Sequence, residues 1–404
     1  MAKLITLLAS LLCAFICTEA LTFQGFDHSR EVEVRPKNLD ELKKALCDKY
    51  NSQGICIDNT PRRIIVDGEF DFTKSEGVKE EKGCYHLTDP PQCLQQGQRR
   101  LNVNNQCRGM TPAKITLYSA GPLGMGVGSN KVIIGENNGA LKGKGLRLYQ
   151  SQNVEIRNLR IHDINPHVIW GGDAIDLINV KNVMIDGCYI KNIGRQMIVT
   201  HYGPSTQVTI QNTVFDGRTP FSAYCDGDHY WLWLFLGQGD QITLQNNVIH
   251  NTAGRGPHLV GSNKHKNLLH IVQNTFYDVS HLGLIDLDDD RSSILVEGNI
   301  FKNVAYIVHR NKGGHLFMPQ TPADQALCTA YLGRQCLKNM VMGCAGHRPV
   351  NSVGALQAFK PFANSLAKPI EMGKSMLSRQ MVYPSDLKNE VKALDIVNKA
   401  IIGC

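Results

Sequence analysis

Six stretches of the chain repeat one pattern of apolar and polar positions. Each has two apolar residues separated by one residue, then an amide side chain or a glycine, and a third apolar residue three positions later. The stretches are Val154–Asn158, Val183–Gly187, Val208–Asn212, Ile242–Asn246, Leu269–Gln273 and Ile294–Gly298. Their first residues are separated by 29, 25, 34, 27 and 25 positions. Repeats of this period indicate a solenoid.

The pattern predicts short strands. Apolar positions alternate, and many are β-branched, as is typical of strands. A helical repeat is excluded because the apolar residues do not recur at i, i+3, i+4 and i+7. A β-propeller would need four strands per blade at a period near forty. We therefore predict an all-β fold, a parallel β-helix, with asparagine and glycine at left-handed corners between its strands.

The ends of a solenoid need covering elements. Residues 38–47 have helical spacing and are expected to cover the N-terminal end. The repeat fades after about residue 310, and residues 387–397 have the pattern of an amphipathic helix that packs back on the coil. Because the chain contains no linker, one domain is expected over residues 21–404.

The first twenty residues have the pattern of a secretory signal peptide. Lys3 precedes an apolar run, Leu4–Ile16, that is too short to span a bilayer, and Ala20 suits cleavage. No later segment approaches eighteen apolar residues, so we expect a secreted, extracellular protein without membrane partners.

Cysteine usage agrees with export. The chain has 13 cysteines, of which Cys13 and Cys17 leave with the leader and 11 remain. Disulfides persist in oxidising compartments, and an odd number leaves at least one thiol unpaired. Zinc binding is the competing interpretation, but no Cys-x-x-Cys pair is present.

The net charge of +7 and the pI of about 8.7 are only mildly basic. No lysine- or arginine-rich run is dense enough to predict binding to nucleic acid. The excess is compatible with an anionic polysaccharide, but ordinary solubility is the more common explanation for it.

Four motifs punctuate the repeats and, together with Gly135, Lys142–Leu146 and Asn153–Leu159, indicate a family. They are Trp170–Ala174, Gly194–Gln196, Cys225–Trp231 and Gly254–Pro257. In this order and at these intervals they resemble the secreted pectin lyases of polysaccharide lyase family 1, over roughly residues 60–345. The resemblance implies a right-handed parallel β-helix, and the helical patterns described above add short helical caps at both ends. It also implies endo-acting cleavage of methyl-esterified polygalacturonate (pectin) by β-elimination, which leaves 4,5-unsaturated oligogalacturonides.

The resemblance also implies roles for individual residues. Arg195 stands where the calcium-free branch of the family has a basic group in place of metal ligands, so no metal and no other cofactor is expected. Arg255 corresponds to the base, Arg195 would polarise the ester carbonyl or dock the sugar, and Asp173 would orient these arginines. The residues that match substrate-binding positions are Trp170, Trp231, Tyr230 and His258.

Structural roles remain open for the same residues. Arg255 would bridge backbone carbonyls at a coil corner, Arg195 would form an ion pair, and Asp173 would shape a turn. A free arginine has a pKa of about 12.5–13.8, so hydroxide or water is the alternative base. Trp233 is as well explained by core packing. His258 replaces a basic residue of the family and makes the pH dependence uncertain.

The cysteine pairing implied by the resemblance is Cys84–Cys107, Cys93–Cys225 and Cys328–Cys336. The partners of Cys47, Cys56, Cys344 and Cys404 stay open. Cys188 lies inside a repeat strand and is expected to be a buried free thiol.

Three rival functions remain. A polygalacturonase would share the solenoid, but its Asn-Thr-Asp, Gly-His-Gly and Arg-Ile-Lys signatures are absent. A calcium-dependent pectate lyase is the nearest rival, and a non-catalytic pectin-binding β-helix protein is the third. A monomer is expected in each case.

Overall fold

The protein is described by a computed structural model for residues 20–86, 93–261, 265–280, 283–344, 346 and 351–369. The body of the leader and the helix expected at 387–397 lie outside these residues. Within the described ranges, no helix is long and apolar enough to cross a membrane.

The described chain is dominated by short strands. Those before the repeats are β1 (Val32–Val34), β2 (Arg62–Asp71), β3 (Val78–Tyr85), β4 (Arg99–Leu101), β5 (Pro112–Tyr118), β6 (Met125–Val127), β7 (Lys131–Lys142) and β8 (Leu146–Tyr149). Those of the first repeats are β9 (Gln152–Arg157), β10 (Arg160–Ile164), β11 (Val168–Ile169), β12 (Ile175–Ile178), β13 (Lys181–Asp186), β14 (Tyr189–Ile193), β15 (Ile198–Thr200), β16 (Thr206–Gln211) and β17 (Val214–Asp216).

The remaining strands continue the same order. They are β18 (Trp233–Phe235), β19 (Gln241–Gln245), β20 (Val248–Thr252), β21 (His258–Leu259), β22 (Leu268–Val272), β23 (Thr275–Val279), β24 (Ile285–Leu287), β25 (Ser293–Glu297), β26 (Ile300–Val304), β27 (Val308–Asn311), β28 (His315–Phe317) and β29 (Met340–Met342). Helices are α1 (Leu39–Leu46), α2 (Cys93–Gln96), α3 (Pro322–Leu332) and α4 (Val353–Phe359), with short 3-10 turns at Val103–Asn105 and Lys360–Phe362.

The strands stack into three parallel sheets that wind around one core. Sheet 1 contains β9, β13, β16, β19, β22, β25 and β28. Sheet 2 contains β10, β14, β17, β20, β23, β26 and β29. The long strands β2 and β7 cross both sheets at the N-terminal end. Sheet 3 contains β6, β8, β12, β15, β18, β21, β24 and β27. The prediction of a parallel β-helix is confirmed.

The register of the sheets reproduces the sequence alignment. Val154 pairs with Val183, Val183 with Val208, and the ladder continues through the first apolar position of every repeat. The third apolar position forms a second ladder in sheet 2, from Ile161 through Ile190 to Phe301. Both ladders lie inside the coil and are buried.

The corners between sheets 1 and 2 have the predicted left-handed backbone. The residue after each sheet 1 strand from β9 to β25 has a positive φ, for example 52° at Asn158 and 64° at Gly298. Next to these corners, Asn247, Asn274 and Asn299 stack, and each amide donates a hydrogen bond of 2.9–3.0 Å to the asparagine of the next coil. The ladder satisfies buried polar groups that a narrow coil would otherwise leave without partners.

Helices cover parts of this coil. Helix α1 begins after Asn38, whose side chain accepts a hydrogen bond from the Glu41 backbone, as predicted for residues 38–47. Its buried residues join the main core beside β2 and β6. Helices α3 and α4 pack on the outer face of sheet 1, against Leu295 and Phe317. Strands stack as far as Met342, one coil beyond the point where the sequence repeat fades.

A small lateral sheet stands beside the coil. It contains β5, β3, β4 and β11; β3 pairs antiparallel with β4 and β5, whereas β11 pairs parallel with β4. Disulfides join Cys84 to Cys107 and Cys93 to Cys225, so that this sheet is tied to the coil. Cys47–Cys56 and Cys328–Cys336 are also joined.

Two of the remaining cysteines are free. Cys188 is a buried free thiol, as predicted, and burial raises its pKa to about 12. Cys344 is also free and is half-buried, and Cys404 lies outside the described residues.

Candidate active site

A groove runs along sheet 3, between the coil and the lateral sheet, and the predicted site residues lie in two of its compartments. The arginine compartment, about 390 Å³, is lined by Arg100, Gln106, Trp170, Arg195, Trp231, Arg255 and His258 among others. The aspartate compartment, about 500 Å³, is lined by Arg147, Tyr149, Trp170, Asp173, Asp176, Arg195, His201 and Tyr202 among others. Trp170 and Arg195 belong to both and form the boundary between them.

Arg255 lies in the turn between β20 and β21. Its φ is 53°, in the left-handed region that non-glycine residues seldom occupy, and such strain is typical of functional sites. Gly254 and Gly256 flank it closely, since a Cβ at Gly256 would lie 2.8 Å from the Leu232 side chain. Backbone geometry therefore presents the Arg255 side chain to the groove.

Two aromatic rings hold the Arg255 guanidinium. Its Nε donates a hydrogen bond of 3.1 Å to the Tyr230 hydroxyl. Its guanidinium carbon lies 5.1 Å from the centre of the Tyr230 ring and 4.8 Å from that of Trp231. The rings stabilise the cation and restrict its orientation.

Arg195 follows β14 and is buried, with 8% of its surface exposed. Its guanidinium stacks 3.8 Å from the centre of the Trp170 ring and lies 3.6 Å from Oδ2 of Asp173. Burial lowers the pKa of Arg195, the charge of Asp173 opposes this, and the positive charge of Arg255 lowers it further. Arg195 and Arg255 are therefore close enough to influence each other.

The two groove tryptophans are fixed by hydrogen bonds to glutamines of the lateral region. Nε1 of Trp170 donates to Gln106 at 3.1 Å, and Nε1 of Trp231 donates to Gln98 at 2.8 Å. Trp170 has a φ of 74°, a second strained backbone position in the site. The rings are thus held as rigid walls of the arginine compartment.

The aspartate compartment contains a close group of Asp173, Asp176 and His201. Oδ1 of Asp173 accepts a hydrogen bond of 2.6 Å from the Gln196 backbone. Burial, with the charge of Asp173 as a second cause, raises the pKa of Asp176 to about 8. Burial, followed by the charges of Arg195 and Arg147, lowers the pKa of His201 to about 4. One ligand atom from each of the three residues lies within 4.8 Å of the others, so they are the group in the described chain that could hold a metal ion.

His258 begins β21 and lines the arginine compartment. Its Nε2 donates to Oδ2 of Asp288 at 3.0 Å. Burial and the nearby charge of Arg255 lower the pKa of His258, although the contact with Asp288 opposes the shift. Burial and the charge of Arg255 thus favour the neutral form of the His258 ring. Asp288, the residue after β24, thus supplies a side-chain partner for His258.

Arg100, on β4, is a site residue that the sequence analysis missed. It lines the arginine compartment and donates to Nδ1 of His86 at 2.9 Å. Burial, followed by the positive charge of Arg255, lowers its pKa. Cys84 and Cys107, which bracket it, together with the link from Cys93 to Cys225, were the available signal that this segment lies against the groove.

The structure brings the three predicted catalytic residues together around Trp170, with Trp231 and His258 beside them. Tyr230 lies behind Arg255 rather than among the residues that line the compartment. Trp233 is fully buried, 5.0 Å edge-to-face from Phe215, so its interpretation as a core residue is confirmed. Three guanidinium groups line the arginine compartment, and its described lining residues include no carboxylate.

The chain is similar to several known proteins. Residues 102–301 match the family model of the right-handed β-helix region. The chain is 39% identical to pectin lyase B of Emericella nidulans over 288 residues, which covers 70% of this chain and 73% of that one. It is 36% identical to pectin lyase A of Aspergillus niger over 333 residues, 81% of this chain and 82% of that one. A solved pectate lyase from Bacillus sp. N165, in complex with trigalacturonate, matches 92% of this chain and 94% of its own at 17% identity, with a TM-score of 0.44.

Proposed function

We propose, because this chain belongs to the pectin lyase family, that it cleaves methyl-esterified polygalacturonate by β-elimination. The protein is a polysaccharide lyase that acts on pectin. The observation that carries the finer proposal is the arginine compartment, where Arg100, Arg195 and Arg255 meet without a lining carboxylate among the described residues.

The reaction requires charge stabilisation at one oxygen. A base removes the C5 proton of a galacturonate unit, and negative charge develops on the C6 carbonyl oxygen. The C4–oxygen bond then breaks, a C4–C5 double bond forms, and the leaving oxygen takes a proton. One well-placed donor at such an oxygen is worth roughly 2.7–4 kcal/mol, or about 10²–10³ in rate.

An ester at C6 suits a compartment that is lined by three arginines and, among the described residues, by no carboxylate. The ester is neutral, so its α-proton is easier to remove than that of a carboxylate, which must accept further negative charge. The guanidinium groups of the compartment provide donors in a partly buried setting, where electrostatic interactions are stronger than in water. We assign Arg195 to the C6 carbonyl oxygen, with Asp173 as the residue that positions it.

Arg255 is assigned to the proton transfer. Arginine is ordinarily protonated, so either a deprotonated Arg255 accepts the C5 proton directly or hydroxide does so beside the Arg255 cation. Tyr230 positions its guanidinium through the 3.1 Å hydrogen bond. Trp170 and Trp231 offer faces on which neutral sugar rings pack, and His258 contributes a neutral polar edge.

Calcium-dependent pectate cleavage is the second candidate, and one observation favours it. The ligand atoms of Asp173, Asp176 and His201 are close enough to hold a cation. Against it, Arg195 lies 3.6 Å from Asp173, where its positive charge competes with a metal ion.

The proposal includes secretion and a monomeric state. Four disulfides within the described chain favour an oxidising compartment. Recovery of the protein from culture medium without the leader, and a monomer mass in light scattering, are the expected results. Retention inside the cell would contradict secretion, and a larger particle would contradict the monomer.

The nature of the product tests the reaction. Incubation with esterified pectin is expected to produce ultraviolet absorbance from a conjugated double bond, with a fall in viscosity that indicates internal cleavage. Reducing ends without that absorbance would indicate hydrolysis. Binding to pectin without either signal would indicate a non-catalytic protein.

A further inference from the structure

The groove continues beyond the aspartate compartment toward the N-terminal end of the coil. A third, lysine compartment of about 310 Å³ is lined by Lys43, Tyr50, Glu76, Lys144, Arg147 and Tyr149, among others. It shares Arg147 and Tyr149 with the aspartate compartment, which in turn shares Trp170 with the arginine compartment. The three compartments are therefore parts of one channel for an extended chain.

Arg147 and His258 lie on one row of this channel. In sheet 3, Arg147 pairs with Asp176, Asp176 with Val199, Val199 with Leu234 and Leu234 with His258. Four strand spacings of about 4.8 Å separate Arg147 from His258 by about 19 Å. A polymer that lies along the row with its reacting unit near Arg255 would pass Arg147 several sugar units away.

In the lysine compartment, the two lysines pair with Glu76, and the Arg147 guanidinium stays available to bind a ligand. Nζ of Lys43 and Nζ of Lys144 lie 3.2 and 3.0 Å from the same carboxylate oxygen of Glu76, and Lys144 also donates to the Ala120 carbonyl. Arg147 makes no side-chain hydrogen bond and no ion pair within 4.0 Å among the described residues. Its guanidinium carbon lies 5.2 Å from the centre of the Tyr149 ring. It thus offers the channel a preoriented cation with unused donors.

The walls beside Arg147 are unusually apolar for exposed surface. Tyr50 is 50% exposed, Leu123 59% and Tyr202 75%, and all three line the lysine or the aspartate compartment. The Cys47–Cys56 disulfide and the antiparallel backbone pairing of Tyr50 with Cys56 hold the loop that carries Tyr50 in place. Rings with a polar tip are suited to a ligand that is partly apolar and partly polar, as a sugar is.

We propose that Arg147 binds the carboxylate of an unesterified galacturonate unit, several units away from the cleaved bond, with Tyr50 and Tyr149 against the sugar. A planar guanidinium binds a carboxylate through two parallel hydrogen bonds, which a methyl ester cannot match. This inference rests on the proposed function and adds a preference to it: ester at the arginine compartment, free acid at Arg147.

The test is the ratio of kcat/KM on partly de-esterified pectin to kcat/KM on fully esterified pectin. Arg147→Ala is expected to lower this ratio by about tenfold or more, as for loss of a charge-assisted hydrogen bond. Arg147→Lys keeps the positive charge but cannot form the two parallel hydrogen bonds. We expect its ratio to lie between that of Arg147→Ala and that of the unmodified protein. Arg160→Ala is the matched control, because Arg160 also stacks on a tyrosine, Tyr189, but lies on sheet 2 outside the groove. It should leave the ratio unchanged.

The subsite would be overturned if both Arg147 variants left the ratio unchanged. This includes the case in which kcat/KM falls equally on the two polymers. If Arg147→Ala does not fold, Arg147→Lys alone decides by the same criterion. These outcomes differ from failure of the proposed function, in which the unmodified protein would form no double bond on either polymer.

Discussion

The two compartments that meet at Arg195 differ in charge, although they lie on neighbouring strands of one sheet. The arginine compartment combines Arg100, Arg195 and Arg255 and has no carboxylate among its described lining residues. The aspartate compartment has Asp173 and Asp176, whose pKa values are both raised, first of all by burial. The arginine compartment favours negative charge that develops during a reaction, whereas burial in the aspartate compartment disfavours negative charge on its own two carboxyl groups.

This difference suggests that the two compartments act on different sugar units of the substrate. In our proposal, the arginine compartment stabilises the negative charge of the transition state more than that of the bound substrate, and such differential binding lowers a barrier. In the aspartate compartment, the surroundings of Asp173 and Asp176 suit neutral, esterified units, whereas Arg147 at its far end offers a cation to a free acid. Arg195 belongs to both, and Asp173 is the carboxylate that fixes its position.

The largest effect is expected from Arg255. Arg255→Ala removes the guanidinium at the proposed proton transfer, and we expect turnover of esterified pectin to fall by about 10³ or more. The measurement is the initial rate of double-bond absorbance, with circular dichroism to show that the fold is intact. Arg160→Ala on sheet 2 is the control. Near-normal turnover of a folded Arg255→Ala would show that this compartment is not the reaction centre.

Arg195 should come next. Arg195→Ala removes one donor at the proposed carbonyl oxygen, and kcat is expected to fall by about 10². Asp173→Asn keeps an oxygen that can accept from the Gln196 backbone but loses the charge that positions Arg195, so its loss should be smaller. Steady-state kinetics of both variants check this order. If Asp173→Asn were the more damaging of the two, Asp173 would have a direct role rather than a positioning one.

A smaller loss is expected when only the support of Arg255 is removed. Tyr230→Phe keeps the ring and deletes the hydroxyl that accepts from Arg255, and we expect kcat to fall about fivefold, as for a net hydrogen bond of ~1 kcal/mol. KM should change little if Tyr230 lies behind Arg255 and does not touch the sugar. A rise in KM at constant kcat would instead place Tyr230 in substrate binding.

The aspartate compartment should affect stability more than rate. The pKa of Asp176 is raised from 3.8 to about 8, so the folded chain holds a proton that the unfolded chain releases between these values. Its contribution to stability is fully present below pH 3.8 and is lost as pH rises toward and through 8. Asp176→Asn cannot titrate, so the fall in Tm between pH 5 and pH 8.5, taken as roughly the span of this titration, should be smaller than in the unmodified protein.

An exposed carboxylate provides the control for this titration. Asp290 has 71% of its side chain exposed, and Asp290→Asn should leave the pH dependence of Tm unchanged. Parallel Tm curves for Asp176→Asn and the unmodified protein would mean that Asp176 is not held protonated.

The sheet 1 and sheet 2 ladders could be predicted from sequence because their signal is local. Apolar residues equivalent to Val154 and Ile161 recur in each repeat at a fixed spacing from the corner residue. Both the coil and its left-handed corners could therefore be predicted from the pattern. The strands of sheet 3 have two to four residues each, and the loops around them vary in length. The row from Arg147 to His258 therefore became visible only through the strand register.

The lateral sheet could not be predicted from the repeat pattern. Arg100 and Gln106 reach the groove through antiparallel pairing of β3 and β4 and through disulfides to distant positions. Such contacts depend on tertiary structure and have no repeat to reveal them. Arg195 and Arg255 were found through motifs, by resemblance. The grouping of Asp176 and His201 with Asp173 became visible only from their positions in the fold.

Substrate discrimination with and without a chelator tests the central claim most directly. Purified protein is incubated with fully methyl-esterified pectin and with polygalacturonate, each with EDTA or with added calcium, and double-bond absorbance is followed. Our account predicts rapid cleavage of the ester that EDTA does not slow, and little cleavage of the acid polymer. Cleavage of polygalacturonate that requires calcium, with esterified pectin left intact, would contradict it.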